Sequence, residues 1–222
     1  FEYFERFIQL FKFCVSLHSQ NVKNMVNKEE IKAEILCAAE RLFEIYGYDK
    51  TTIEDISSES NKAKTAVYYY FRNKAEIFHK VIESEFRAVR QRLAAVREER
   101  HSDRLAELAE YLKLRMELIH SATVYNKYLS FQRFGRRSDV LSIISNVRED
   151  FDRWERDYFE TICREGNSSG VFSDKVKPES FGEMLVMLLK GLELQFASAH
   201  DPAYSKSTYE EVLDRILLGC TK

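Results

Sequence analysis

The sequence predicts an all-α fold, a small N-terminal three-helix unit followed by a larger C-terminal helical bundle. Three observations point there. The 222 residues include only 2 Pro and 7 Gly, too few for a turn-dense β architecture. Ala, Leu, Glu, Lys and Arg are abundant, and all favour helix. Apolar residues recur at spacings of three and four along most of the chain. Hydrophobic residues make up 45% and charged residues 32%, which excludes a chain too polar and too charged to fold. The formal net charge is −2 and the pI about 6.3, so any nucleic-acid surface must be local.

Residues 1–24 stand apart. Phe4, Phe7, Ile8, Phe11 and Val15 share one helical face, and Glu2, Glu5, Gln9 and Lys12 the other. Such an arm suits a membrane surface or a partner helix. It lacks the basic start and cleavage site of a signal peptide. The first Met is Met25, followed by VNKEEIKAEIL, so residues 1–24 are expected to be an extension outside the core fold. No apolar run approaches the ~20 residues of a membrane span.

The first core helix is expected over about 28–46, with Ile31, Ile35, Leu36, Ala39, Leu42 and Phe43 as its buried stripe. Gly47 ends it in a left-handed conformation. Thr52 caps a short second helix, about 53–60, and Asp55 favours its start. Asn61, which tolerates the left-handed turn, interrupts it. A third helix covers about 63–70. Asn73 caps a long fourth helix, about 74–97, whose apolar face carries Ile77, Phe78, Val81, Ile82, Phe86, Val89 and Leu93. Further helices are expected over about 103–120, 122–133, 137–165, 179–198 and 206–220. Pro178 starts one of them, and Pro202 falls between the last two. The domain division is expected to be 25–75 and 76–222.

The cysteines, Cys14, Cys37, Cys163 and Cys220, show no two-residue spacing, which argues against a zinc or redox site and for a reducing, cytoplasmic setting. The five histidines form no HxxxH or HExxH pair. No metal or other cofactor is therefore expected. An enzyme reading would have to use carboxylates such as Glu183, Glu193, Glu107, Glu110 and Glu117. None has the Glu-x-x-His spacing of di-iron bundles, and no GxSxG or phosphate-cradling glycine loop occurs. The reading is therefore of a protein that is not an enzyme.

The informative stretch is TIEDISSESNKAKTAVYYYFRNK, residues 52–74. Two short helices joined by a tight turn make a helix-turn-helix. Ile53 and Ile56 anchor the first helix, and Val67 and Tyr70 can hold the second. The second then presents Lys64, Thr65 and Ala66, slim enough for a major groove ~12 Å wide. Residues 25–74 hold 8 Lys and Arg against 9 Asp and Glu, yet residues 62–74 hold Lys62, Lys64, Arg72 and Lys74 with no acid. That places positive charge where phosphates would lie.

ILCAAERLFEIYGYDKTTIEDISSES followed by AVYYYFRNKAEIF resembles the DNA-binding domain of the TetR, or tetracycline-repressor-like, family. The resemblance covers about residues 31–82. It implies a homodimer, a pseudo-palindromic double-stranded operator, and an effector domain in the second half. It implies base-edge contacts at Lys64, Thr65 and Ala66, phosphate contacts at Thr52, Tyr69 and Lys74, and packing roles for Tyr68 and Phe71. This chain departs from the family pattern at the turn, with Ser60-Asn61 for small-Gly and Lys62 for an apolar residue. It also has Ala63 for a common Ser and Thr65 for a common Gly. Lys62 can add a phosphate contact or weaken the packing of the turn.

In the second half, Val140, Ile144, Val147, Phe151, Trp154, Tyr158 and Ile162 form one face of a long helix. Tyr111, Met116, Tyr125, Tyr128, Phe131, Phe151, Trp154, Tyr158 and Met187 are candidate walls of an apolar pocket for a small, largely apolar or aromatic effector. The plainer reading of these aromatics is core. The helix with MLVMLL at residues 184–189 is apolar all round and needs a second partner surface. Leu185, Leu189, Leu192, Leu213, Ile216 and Leu217 are candidates for a homodimer interface, with Gly191 allowing close approach. The reading is of a transcriptional repressor released from DNA by a small molecule. The alternative is control by a protein partner or a membrane, and rests on the N-terminal arm.

Overall fold

The computed structural model describes residues 27–99, 101–129, 138–196 and 202–221. The arm at residues 1–24 and Phe131 lie outside them. The all-α expectation holds. The described residues form nine helices: α1 (27–50), α2 (Ile53–Glu59), α3 (Lys64–Tyr70), α4 (Lys74–Val96), α5 (Arg104–Ser121), α6 (Thr123–Leu129), α7 (Ser138–Ser168), α8 (Pro178–Phe196) and α9 (Pro202–Cys220). Backbone contacts divide the chain into two compact units after Ile77, within the first turn of α4.

The first unit is built by the α1 stripe. Ile35, Ala38, Ala39, Leu42 and Phe43 are buried with Ile53 and Ile56 of α2, Val67 of α3, Phe71 and Ile77. Burying each large apolar side chain contributes about 1.5–3 kcal/mol. Gly47 adopts the expected left-handed backbone, φ 81°, but it does not end α1, which continues to residue 50 with a turn that departs from regular helix. The Thr51 hydroxyl donates to the Gly47 carbonyl at 2.8 Å and secures that turn. Thr52 and Asp55 form a reciprocal capping box at the start of α2. Asn61 adopts φ 54°, and the turn closes through Lys62 N–H donating to the Ser57 carbonyl at 3.0 Å. Asn73 caps α4 by accepting the Glu76 N–H at 2.9 Å, while Glu76 accepts the Arg72 N–H at 2.7 Å.

The second unit packs α7 principally against α8, with α5 against α7 and α9. Val140, Ile144, Val147, Phe151, Tyr158 and Ile162 are buried, as the stripe predicts. Two helix boundaries differ from expectation. The helix expected over 137–165 continues to Ser168, and Gly170 at φ 75° follows it. Pro202 is the first residue of α9 rather than a spacer, a position where its missing N–H costs nothing. Beyond α9, Phe172 and Thr221 form an antiparallel bridge, and Ser173 N–H donates to the Cys220 carbonyl.

Candidate nucleic-acid interface

The α2–turn–α3 segment meets the steric demands of groove entry. Val67 is wholly buried and pins α3 from below. Lys64 and Thr65 are exposed and Ala66 half-buried, so the start of α3 points its small and basic residues outward. Tyr69 is 72% exposed, and its ring meets Tyr70 edge-on at 5.0 Å, while the Lys28 ammonium lies 5.5 Å from its centroid. Tyr68 was expected to pack. It is instead 49% exposed, because the helical register that buries Val67 turns the next side chain outward.

Two lysines of this face are paired across helices. Lys62 meets Glu34 of α1, and Lys64 meets Glu54 of α2. The Lys64 hydrogen bond holds the exposed Glu54 carboxyl below its ordinary range and raises the Lys64 ammonium. Glu54, Lys62 and Lys64 line one surface concavity of about 460 Å³ with Ser57, Ser58, Asn61 and Ala63. Thr52 is exposed, but its hydroxyl is engaged with Asp55 in the capping box. Lys74 is turned inward. It donates to the carbonyls of Tyr48 at 2.6 Å and Thr51 at 2.7 Å, and stacks on the Tyr48 ring at 4.2 Å. Burial lowers its pKa, with Asp55 acting against the shift. Its geometry is that of a stitch between α4 and the α1–α2 connection.

The centre of the second unit is ionic. Arg115 on α5 is fully buried and forms a two-pronged pair with Glu155 of α7, Nε to Oε1 at 2.6 Å and Nη2 to Oε2 at 2.8 Å. Its Nη2 also lies 2.6 Å from Glu193 Oε1 on α8. Arg148 of α7 grips the same Glu193 carboxylate at 2.5 Å and 3.1 Å, and donates through Nε to Asp152. Lys190 closes the chain on Asp152 at 2.7 Å. Burial pushes the Glu193 carboxyl up, but Arg148 and Arg115 outweigh it and hold it at about 2. Arg115 Nη1 is buried without a hydrogen-bond partner among the described residues. Glu85 of α4 accepts the N–H groups of Val124 and Tyr125, both at 2.9 Å, and so fixes the start of α6.

This network corrects the expected apolar pocket. Tyr111 donates to Glu155, Tyr125 to Glu193 and Tyr158 to Glu107, each at 3.1 Å. These rings and Phe151 are buried around the ion pairs. Tyr128 packs edge-on to Phe78 at 5.2 Å, Trp154 is half-buried beneath Arg90 at 5.0 Å, and Met116 is half-buried. Met187 is 72% exposed and is no inner wall. A cavity of about 360 Å³ does open beside the network, lined by Tyr125, Leu129, Ile144, Arg148, Lys190 and Glu193 among others. Sequence reading missed Arg148, Asp152 and Glu155. They recur at i, i+4 and i+7, one position after the apolar stripe, and that offset was a readable sign of a buried polar edge.

The interface candidates divide. Leu185, Leu189 and Leu213 are buried in the chain's own core, so they are not on a face open to a partner. Leu192, Ile216 and Leu217 are half-buried. Among the described side chains, the large apolar ones exposed on α8 and α9 are Met184, Met187 and Leu218.

A family model described as bacterial regulatory proteins, tetR family, matches residues 35–81. Residues 35–81 thus match the DNA-binding segment of the TetR family. Over 56 residues it is 43% identical to the negative transcriptional regulator IcaR of the Staphylococcus epidermidis biofilm operon, a match spanning 25% of this chain and about 30% of IcaR. The match to YfiR of Bacillus subtilis likewise spans only 28% of that protein. A longer match, 24% identical and spanning 73% of this chain and 79% of the relative, is to the repressor AcnR of Corynebacterium jeikeium. A TetR-family regulator of Pectobacterium atrosepticum shares the fold, with TM-score 0.69 and 18% identity over 88% of this chain and 96% of that one. So does a regulator of Saccharomonospora viridis solved with choline, TM-score 0.68 and 18% identity over 87% and 99%. Within the TetR pattern, the replacement of small-Gly by Ser60-Asn61 is explained by the positive φ of Asn61, and Lys62 by its pairing with Glu34.

Proposed function

We propose that this chain is a TetR-family regulator, dimeric and of repressor type, that binds a pseudo-palindromic DNA operator in the cytoplasm. The observation that carries the reading is α3, held from below by Val67 and presenting Lys64, Thr65 and Tyr69 outward within the segment that matches the family. Lys64, Thr65 and Ala66 face base edges in this reading, and Thr52, Lys62 and Tyr69 face phosphates. Lys74 supports the surface by fixing the start of α4.

Two copies of α3 must sit ~34–36 Å apart to enter successive major grooves. The exposed Met184, Met187 and Leu218 support pairing through α8 and α9. A groove of about 770 Å³ lies there, with walls that include Phe181, Met184, Leu188, Val212 and Ile216. A small-molecule effector would occupy the cavity beside Arg148 and Glu193 and favour a dimer geometry that fits DNA less well. That cavity joins apolar walls to a fixed ionic floor, so it suits a compact ligand with an apolar body and a polar end. The choline complex of the Saccharomonospora regulator makes a small effector reasonable for this fold.

The experiment is selection of a preferred sequence from a random duplex pool, followed by titration of that duplex. Enrichment of a two-fold symmetric site bound at two subunits per duplex supports the reading. Uniform binding of all sequences, or none, refutes it.

A further inference from the structure

The acid facing Lys64 has a place in DNA recognition that the helix-turn-helix alone does not supply. Lys64 opens α3, and its ammonium is hydrogen-bonded to the carboxylate of Glu54, in the first turn of α2. Both side chains are at least half exposed, and both line the concavity at the turn. The Tyr68 ring lies on another side of the same ammonium, 5.9 Å away. An ammonium has three N–H donors, and Glu54 engages one. The remaining donors stay available to an incoming acceptor while the ion pair persists.

The two kinds of DNA contact respond differently to that arrangement. A phosphate attracts net charge, and Lys64 arrives as half of a neutral pair whose acid the phosphate repels. Its contribution to counterion release, the main term in sequence-independent binding, is therefore cancelled. A base edge asks for a donor at a fixed position rather than for net charge. A paired Lys64 meets that demand, with its ammonium already fixed at one point. A free lysine side chain would spread over many rotamers and reach phosphates on any sequence.

We propose that Glu54 is a specificity-determining positioning residue: it withdraws Lys64 from sequence-independent phosphate binding and holds it as a base-reading donor. This rests on the DNA-binding reading above.

The test uses the full chain, a random-sequence duplex and the duplex selected by the wild-type protein, titrated across a salt series. Glu54→Gln should raise affinity for the random duplex several-fold and steepen its log–log salt dependence by about 0.9, one additional phosphate contact. Affinity for the selected duplex should change less, so the ratio of the two falls. Adding Lys64→Ala to Glu54→Gln should return the salt dependence to the wild-type value. Lys64→Met alone gives an independent reading. It leaves the Glu54 carboxylate uncompensated, so it should weaken the selected duplex more than the random one and make the random-duplex salt dependence shallower. Equal gains on both duplexes for Glu54→Gln, no gain on either, or an equal loss on both duplexes for Lys64→Met would each overturn the proposal. Absence of any preferred duplex for the wild type is a different result, and it overturns the DNA-binding reading itself.

Discussion

Glu193→Gln is the sharpest probe of the second unit. The wild-type carboxylate receives Arg148 Nη1 and Nη2, Arg115 Nη2 and the Tyr125 hydroxyl, all from buried groups. Gln keeps the shape and one acceptor but leaves two buried guanidinium groups short of a negative partner. Breaking one side of a buried ionic cluster costs about 3–5 kcal/mol. The pH argument gives a similar size. Glu193 titrates at about 2 in the folded chain against an ordinary 4.5, a difference on the order of 3 kcal/mol. Because the folded pKa is depressed, this stabilisation is fully present above pH 4.5 and is lost as pH falls through about 2. Trp154 is the sole tryptophan and lies on α7 beside Phe151, so its fluorescence reports this unit. Urea titrations at pH 7 should show Glu193→Gln less stable by about 3 kcal/mol, a large part of a typical 5–15 kcal/mol. Repeated at intervals down to pH 3, the gap between variant and wild type should narrow. A variant as stable as wild type at pH 7, or one whose deficit does not depend on pH, would refute the account of the network.

Three further outcomes follow from local geometry. Asn61→Ala should destabilise the first unit by about 1 kcal/mol, because φ 54° disfavours a Cβ without a local polar partner, while Asn61→Gly should be tolerated; thermal melts separate them. Ala63 is the N-cap of α3, with extended backbone and no side-chain cap, so Ala63→Ser should add about 0.5–1 kcal/mol in the same melts. Met187→Glu places a charge on the exposed apolar face of α8, and sedimentation should show the proposed dimer dissociating while helical content is kept; a dimer unaffected by the change would exclude that face.

The fold was legible wherever structure follows from neighbours in sequence. Gly47 and Asn61 sit at positive-φ positions that their residue types permit, and Asn73 caps α4 as its side chain allows. The stripe from Val140 to Ile162 lies inward as its spacing requires. Helix ends were less legible. Ser168 and Pro202 extend α7 and α9 beyond the expected bounds, since an end is set by packing and by which carbonyls find partners, not by periodicity. The face that an all-apolar helix buries was likewise hidden. Periodicity alone does not tell Leu185 and Leu189, which meet the chain's own core, from Met184 and Met187, which do not.

Charge shows where local reading stops. Counting along residues 62–74 gives four cations and no acid, hence a strongly basic face. In three dimensions Glu34 and Glu54, from two other helices, meet Lys62 and Lys64. The same long-range pairing builds the second unit, where Arg115 meets Glu155 and Glu193 from distant helices. Such partners are specified by tertiary packing, so no window along the chain contains them. The consequence at α3 is quantitative. If each outward lysine released a counterion on binding, Lys62 and Lys64 would together steepen the salt dependence by about 1.8. With both paired in the free chain, exchange of one anion for another releases little, and the slope should fall short of the lysine count by that amount.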